Sequence, residues 1–208
     1  MPALSQRAQS LGTENAFVVL AEVTALARQG KDIVSFCIGQ PDFPAPEHVQ
    51  EAVIRAIREG KHGYTPSAGI DPLREAAAKY MAGMRGGLPI RPEDVVIGAG
   101  AKPFIAYAIL STTDYGVGDE LIYPNPGFPI YESVIRFSGA TPVPMPLKED
   151  KGFAFDADEV LALVTPRTRL LIVNSPANPT GGTVPREQFD RLVDRKSTRL
   201  NSSHVALS

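Results

Sequence analysis

The loop NSPANPTGG, from Asn174 to Gly182, is the stretch of the sequence with the most unusual composition. It follows RLLIVN (169–174), an apolar, partly β-branched segment that is typical of a strand buried on both faces. A turn needs one or two Pro, Asn or Gly residues, whereas this loop has two of each. Residues 174–182, called the NPTG loop below, are therefore typical of a segment that holds a polar side chain in one place.

A second candidate is GAGAKPF (98–104), which follows a predicted strand and opens a predicted helix. The backbone N–H groups of Ala101 and Lys102 at that helix start could bind an anion, supported by the positive end of the helix dipole. The glycines could equally serve only a tight turn. Because the stretch matches neither GxGxxG nor a Walker loop, a nucleotide-binding domain is disfavoured.

Three further residues lie in loops where a ligand could bind. Phe128, just beyond a predicted strand in PNPGFPIYES, could stack on a planar heteroaromatic ring, or be plain core. Tyr64 could reach an anion with its hydroxyl, or be an ordinary surface residue that binds no ligand. Gly39 ends a predicted apolar strand, and Pro41 and Pro44 after it forbid helix, so backbone N–H groups could bind a carboxylate there, although an extended linker would look the same.

The elements that must position these residues alternate between helix and strand. Apolar spacing predicts helices starting at Pro46 and at Asp71, the second with Asp71 as N-cap. Short apolar runs predict strands in 94–100, 120–127 and 169–174. Such alternation implies crossover connections, a largely parallel sheet, and ligands at the carboxyl ends of the strands, where all three of the candidate loops that follow them lie.

Composition excludes several classes of function. The 208 residues are 43% hydrophobic and 21% charged, with a formal charge of −2, and Lys and Arg are scattered. This disfavours binding to nucleic acid or to a membrane surface. A single cysteine, Cys37, excludes an internal disulfide framework. With no signal-peptide pattern and no run long enough to span a bilayer, the sequence predicts a cytoplasmic protein.

The last fourteen residues break the pattern. A helix from Pro185 is predicted to bury Phe189, Leu192 and Val193, but residues 195–208 turn polar and rich in Ser and Asn. A flexible natural terminus is one interpretation. We favour the other, in which this tail is not native, because it resembles translated sequencing-adapter sequence.

The order of the motifs carries more information than any one of them. IGQPDFPAPEHV, GYTPSAGIDPLRE, GAGAKP, YPNPGFPIYESVI and NSPANPTGG together resemble the class I and II aminotransferases, which are pyridoxal-phosphate enzymes of fold type I. The resemblance runs from about Glu14 to Asp194 and covers only the first half of a typical member. It implies a truncated three-layer α/β/α sandwich with a mostly parallel sheet.

The resemblance also implies a role for each candidate residue. Asn178 would hydrogen-bond the phenolic oxygen of pyridoxal 5'-phosphate, and Phe128 would stack on its ring. Gly100, Ala101 and Lys102 would cradle its phosphate. Gly39 would meet the substrate carboxylate. Tyr64 would reach the cofactor phosphate of the neighbouring subunit, which implies a homodimer.

Within this resemblance, no catalytic residue is assigned. The family's Schiff-base lysine, the aspartate that pairs with the pyridine nitrogen, and further phosphate and carboxylate ligands belong to the half beyond these motifs. We therefore expect a fragment of an aminotransferase acting on an amino acid and a 2-oxo acid, inactive by itself. The alternatives are a fragment of another fold type I enzyme (a carbon–sulfur lyase or a decarboxylating synthase), or a non-catalytic ligand-binding module.

The family's arrangement predicts three segments. Residues 1–45 would be a helix and strand of the small domain, 46–194 part of the cofactor-binding large domain, and 195–208 the tail. The strand at Val95–Ile97 would have an unpaired edge. Phe128, Asn178 and the backbone of Ala101 and Lys102 would converge on one cavity.

Overall fold

A computed structural model describes residues 5–9, 11–12, 15–199 and 204–207. Two single turns of 3-10 helix lie at Pro92–Asp94 and Glu149–Lys151. The described helices are α1 (Gln6–Gln9), α2 (Asn15–Arg28), α3 (Glu47–Arg58), α4 (Asp71–Met84), α5 (Lys102–Thr112), α6 (Ile130–Ser138), α7 (Ala157–Leu163) and α8 (Arg186–Arg199), and the strands are β1 (Glu120–Asn125), β2 (Thr141–Pro146), β3 (Thr168–Val173) and β4 (His204–Leu207).

The four strands form one parallel sheet in the order β2-β1-β3-β4. The predicted strands in 120–127 and 169–174 are present as β1 and β3. Sequence reasoning missed β2, whose segment TPVPMP has proline at every second position. Proline removes a ladder donor and is tolerated on an edge strand, which is the place β2 occupies.

The sheet separates two hydrophobic clusters. On one face, Leu121 and Tyr123 of β1 and Leu170 of β3 pack with α5 and α6 through residues such as Ile109 and Ile135. On the other face, Ile122 of β1 and Val173 of β3 pack with Val160 of α7 and Phe189 of α8. Successive side chains of a strand point to opposite faces, so β1 and β3 supply both clusters. The predicted three-layer α/β/α arrangement is confirmed.

The chain divides into two compact units. The sheet unit comprises residues 1–15 and 102–208, and the helical unit comprises residues 16–101. The helices predicted from Pro46 and Asp71 are confirmed as α3 and α4, although Ile70, not Asp71, is the N-cap of α4. Asp71 is instead the first helical residue, and its carboxylate pairs with Arg74. The boundary predicted at residue 45 stays a prediction.

Two predicted strands are wrong. Residues 95–98 belong to no sheet, and the Ile97 N–H donates to the Ala68 carbonyl. The apolar segment that ends at Gly39 is likewise not a strand, and Phe36 in it is 92% exposed. A strand needs a hydrogen-bonded neighbour, and within the described residues neither segment pairs with one. The expected edge strand at Val95–Ile97 is therefore not formed.

The change of composition at residue 195 does not coincide with the end of a helix. Helix α8 continues to Arg199, and residues 204–207 form β4 beside β3. No Gly or Pro interrupts residues 186–199, so the helical hydrogen bonds can continue. Phe189 and Leu192 pack against the sheet as predicted, whereas Val193 is 65% exposed. That the tail is not native stays a prediction.

Candidate functional site

The NPTG loop is held by hydrogen bonds from its own backbone and side chains. Asn174 Oδ1 accepts from the Asn178 N–H at 2.7 Å, and Ser175 Oγ accepts from the Val184 N–H at 3.0 Å. The Ala177 N–H donates to the Gly182 carbonyl at 2.8 Å, and the Gly181 N–H donates to the Ala177 carbonyl at 2.7 Å. The loop is therefore a closed structure, as its composition predicted.

Asn178 is an exposed residue of this loop and directly follows the buried Ala177. Ala177 is 6% exposed and packs into the hydrophobic cluster on the α7 and α8 face of the sheet. Asn178 itself is exposed, and within the described residues its side-chain amide makes no hydrogen bond. An amide on a fixed backbone with its donor and acceptor unused is suited to binding a polar ligand atom.

Phe128 lies in the turn between β1 and α6. Gly127 before it has no room for a side chain, because a Cβ there would lie 2.0 Å from the Pro124 carbonyl oxygen. The Phe128 ring is half-buried and meets the Tyr131 ring edge to face, at 6.0 Å between centroids. Such aromatic pairs are favourable, so the ring has a fixed orientation. It retains exposed area on which a planar ligand could stack.

Helix α5 begins at Lys102, as the GAGAKPF motif predicted. Gly100 has a φ of +82°, a left-handed conformation that favours glycine. Within the described residues, the Ala101 N–H has no hydrogen-bond acceptor. At 11 residues, α5 carries a dipole that favours an anion at this end.

Two of the predicted site residues are brought together. Lys102 Nζ lies 5.5 Å from the centroid of the Phe128 ring, which is within cation–π range. Strand β1 lies between these two residues in the sequence, and its carboxyl end leads directly into the turn that contains Phe128. The convergence of Asn178 on the same place stays a prediction.

Beside Phe128 lies a hydrogen-bonded network that sequence reasoning missed. The Tyr123 hydroxyl donates to Glu132 Oε2 at 2.8 Å, and Arg136 donates to Glu132 Oε1 at 2.7 Å. Burial, and then the contact with Glu132, raises the pKa of Tyr123 to about 12. Arg136, and then Tyr123, lower the pKa of Glu132. The spacing of Glu132 and Arg136, four residues apart on a helix, is the signal that could have revealed half of this network.

This network lines a cavity of about 260 Å³ at the carboxyl end of β1. Phe128 and Ser133 also line it, and the Gly12 N–H donates to Ser133 Oγ at 2.9 Å across its rim. The cavity thus combines an aromatic ring, a tyrosine hydroxyl and a carboxylate that is already paired. It supports the expectation that ligands bind at this end of the sheet.

Tyr64 and Gly39 lie in the helical unit. Tyr64 is fully exposed, and a Cβ built on Gly39 would meet no atom within 4 Å. The loop after Tyr64 borders a cavity of about 390 Å³, which is lined by residues including Ser67, Leu73 and Ile97. The tyrosine hydroxyl and the Gly39 backbone are both accessible, as their predicted roles require.

The described residues include no metal-binding cluster and no membrane-spanning helix. No cluster of three or more His, Cys, Asp or Glu side chains in this part of the chain could hold a metal ion. None of the described helices is both long and apolar enough to cross a membrane.

The chain is similar in sequence to proteins of one known family. The model of the aminotransferase class I and II family matches residues 31–202. A probable aspartate/prephenate aminotransferase of Aquifex aeolicus is 37% identical over 191 residues, which is 92% of this chain and 48% of that protein. The aspartate/prephenate aminotransferase of Thermus thermophilus is 38% identical over 92% of this chain and 49% of its own length.

Solved structures give the same result. An aspartate aminotransferase from Thermus thermophilus with maleate superposes with a TM-score of 0.91 at 36% identity, covering all of this chain and 53% of that one. An alanine aminotransferase from Pyrococcus furiosus gives a TM-score of 0.89 at 28% identity, covering 51% of its length. The chain spans about half the length of the relatives it matches. It belongs to the class I and II aminotransferase family.

Proposed function

We propose that this chain is the cofactor-binding half of a pyridoxal-phosphate-dependent aminotransferase, which transfers an amino group between an amino acid and a 2-oxo acid. The observation that carries the proposal is the Asn178 amide, exposed on a loop whose backbone is closed by its own hydrogen bonds. The names of the relatives include aspartate and prephenate, so aspartate is the first donor to test.

The residues present fit the chemical groups of pyridoxal phosphate. The Asn178 amide offers a donor to the phenolic oxygen, and Phe128 offers a ring to the pyridine. Of Gly100, Ala101 and Lys102, Ala101 offers its N–H and α5 offers its dipole to the phosphate, whereas the Gly100 N–H already donates to the Gly98 carbonyl at 3.0 Å. When bound, the cofactor supplies an electron sink for the bonds at the amino-bearing carbon of the substrate.

The chain's own residues bind the cofactor and the substrate and orient them. The closed NPTG loop holds the Asn178 backbone at a fixed point, so only side-chain freedom is lost when a ligand oxygen accepts from its amide. Phe128, oriented by Tyr131, excludes water from one face of a planar ligand. Gly39 would meet the substrate carboxylate through its backbone, and Tyr64 would serve the neighbouring subunit of a homodimer.

The proposal is tested by binding of pyridoxamine phosphate, which needs no lysine amine. We expect a Kd on the order of 0.1–1 mM, because half of the family's phosphate ligands lie outside these motifs. Phe128→Ala and Asn178→Ala should each weaken binding about 5-fold, the equivalent of about 1 kcal/mol of stacking or of one hydrogen bond. Tyr80→Ala and Gln29→Ala, at exposed positions of the helical unit, are the matched controls. Equal affinity in all four variants would contradict the proposal.

The 208-residue chain by itself is expected not to transaminate. None of its lysines stands in the family's Schiff-base motif, and the aspartate that keeps the ring nitrogen protonated is not among these motifs. The test is incubation with pyridoxal phosphate, borohydride reduction and mapping of the labelled lysines, with an assay of amino transfer to 2-oxoglutarate. Scattered, substoichiometric labelling is expected. One stoichiometrically labelled lysine with turnover above the free cofactor would contradict this.

A further inference from the structure

We propose that Asn174 is a positioning residue that aims the Asn178 side chain at its ligand. This inference rests on the proposed function, in which Asn178 hydrogen-bonds the phenolic oxygen of the cofactor. In the sequence, Asn174 is both the last residue of the apolar segment RLLIVN and the first residue of the NPTG loop.

Asn174 has a fixed position because of what precedes it. It directly follows Val173, the last residue of β3, whose side chain is 3% exposed and packs on the α7 and α8 face of the sheet. Leu170 and Ile172 of the same strand pack on the opposite face. With β3 held on both faces, the backbone of Asn174 leaves the sheet at one defined point.

The Asn174 side chain transmits this position to Asn178. Its Oδ1 accepts from the Asn178 N–H at 2.7 Å, four residues along the chain. Asn side chains commonly close turns in this way, by accepting from a backbone N–H a few residues ahead. The rest of the loop is held at Ala177 by the bonds to Gly181 and Gly182, so Asn174 supplies the contact made by Asn178 itself.

The effect of this contact falls on ligand binding more than on folding. Both residues lie at least partly in solvent, so a backbone N–H released from Asn174 can bond to water. A released Asn178 backbone would, however, have to be ordered again each time a ligand binds, which lowers affinity.

The test compares two near-isosteric substitutions of Asn174. Asn174→Asp keeps an accepting oxygen at the same place, whereas Asn174→Leu has a similar branched shape and no acceptor. We expect Asn174→Leu to weaken binding of pyridoxamine phosphate about 3- to 5-fold, which matches the loss of part of one hydrogen bond. Asn174→Asp should retain wild-type affinity within about 2-fold, and the urea midpoint should change little in either variant.

Two measurements separate positioning from general loop stability. In the double variant Asn174→Leu with Asn178→Ala, affinity should be no lower than in Asn178→Ala alone, since the aimed amide is already gone. A pyridoxamine phosphate analogue that lacks the phenolic oxygen should bind Asn174→Leu and the wild type equally. A merely structural role would weaken binding of both ligands alike.

Each outcome decides the proposal. If Asn178→Ala weakens binding and Asn174→Leu does not, or if the two effects multiply, the positioning role is wrong while the proposed function stands. If the wild-type chain binds no pyridoxamine phosphate, both fail. Should Asn174→Leu not fold, Asn174→Ala replaces it, with the same expected loss and the same contradictory outcomes.

Discussion

Helices α6 and α7 of the sheet unit and helices α3 and α4 of the helical unit carry apolar residues at helical spacing, but they bury them to different extents. Tyr131, Val134 and Ile135 of α6 are at most 8% exposed. In α3, no residue is buried, and Val53 and Ile57 are 55% and 61% exposed. In α4, Ala78 is the buried residue.

This difference separates two kinds of information in a sequence. Apolar spacing determines which face of a helix avoids water, and it predicted α3 and α4 correctly. What covers that face depends on tertiary structure, and in the described residues the apolar face of α3 remains exposed. The sheet unit, in contrast, has a layer of helices on each face of its sheet.

The contrast is tested most strongly by one substitution in each unit. Ile122, in β1, is 0% exposed and packs with Met145 and Phe155. Ile122→Ala should reduce the free energy of unfolding by about 3–4 kcal/mol, because it removes buried apolar area and leaves a cavity. Ile57→Ala, the matched change on α3, should cost less than about 0.5 kcal/mol. Urea unfolding followed by circular dichroism measures both.

Equal costs at Ile57 and Ile122 would contradict this contrast. They would mean that the face of α3 is covered in solution, for instance by a second copy of the chain. Sedimentation of the same samples tests for such a second copy, because two associated chains would sediment as a larger particle than one.

A glycine in each unit provides a second comparison. Gly127→Ala would place a Cβ 2.0 Å from the Pro124 carbonyl oxygen, so the turn that carries Phe128 must shift. We expect a loss of roughly 2 kcal/mol in the free energy of unfolding, with weaker binding of pyridoxamine phosphate. At Gly63, no atom lies within 4 Å of the added Cβ, and Gly63→Ala should be neutral within about 0.5 kcal/mol. A neutral Gly127→Ala variant would show that the turn is not tightly packed.

The acidic groups at the amino end of the sheet predict a dependence on pH. Glu120 is buried, accepts from the Thr165 hydroxyl at 2.5 Å, and accepts from Arg167 Nε at 2.8 Å. Thr165, and then Arg167 against the cost of burial, lower the pKa of Glu120 from 4.5. Because the unfolded chain binds the proton first, this stabilisation is present above about pH 4.5 and is lost as pH falls through the lowered value.

Glu120→Gln measures that stabilisation. At pH 7 we expect a loss of roughly 1–2 kcal/mol, less than for a fully buried ion pair, because Arg167 is largely exposed. The difference from the wild type should shrink as the pH is lowered below 4.5. Glu51→Gln, on the exposed helix α3, is the control. A difference that stays constant from pH 7 to pH 3.5 would contradict the assignment.

The parts of the fold that sequence reasoning found are those encoded by local pattern. β1 and β3 are apolar runs that end in turn residues, and the NPTG loop contains its own Pro, Asn and Gly. β2 could not be found, because TPVPMP forms a strand only through its pairing with β1. At Val95–Ile97 the error was the opposite one: the sequence predicted a strand, but within the described residues this apolar run has no neighbouring strand to pair with.

The candidate site, like the fold, was predictable only where it depends on local sequence pattern. Phe128 and Lys102 lie close together, but the rule that ligands bind at the carboxyl ends of parallel strands accounts only for Phe128, which follows β1, since residues 95–98 before Lys102 are not a strand. The network of Tyr123 and Glu132 was not predictable, since it depends on a side chain of β1 meeting the next helix. Asn174 was visible in the motif, but its contact with Asn178 required the backbone geometry of the loop.

The smallest expected effect concerns Asp94, an exposed carboxylate of the helical unit. Its oxygens accept from Arg91 Nη2 at 2.9 Å and Nε at 3.1 Å. The Arg91 side chain, and then its backbone N–H, lower the pKa of Asp94 from 3.8 to about 2. At pH 3.8 an ordinary aspartate is half protonated, whereas Asp94 should be only about 2% protonated, and carboxyl carbon chemical shifts measure the difference. Arg91→Gln should raise the protonated fraction of Asp94 toward half without reaching it, because the backbone N–H of residue 91 remains a donor. A concentration of 1 M salt should move that fraction in the same direction, because both ions of the pair lie in solvent.

Asp119 is the contrasting case in the sheet unit: it is buried, and despite that burial the Asp114 N–H and Arg169 lower its pKa. Its protonation should respond less to salt, since water and ions have little access to the carboxylate. If salt shifted Asp119 as much as Asp94, the two units would not differ in how they screen charge, and the contrast would be limited to their apolar residues.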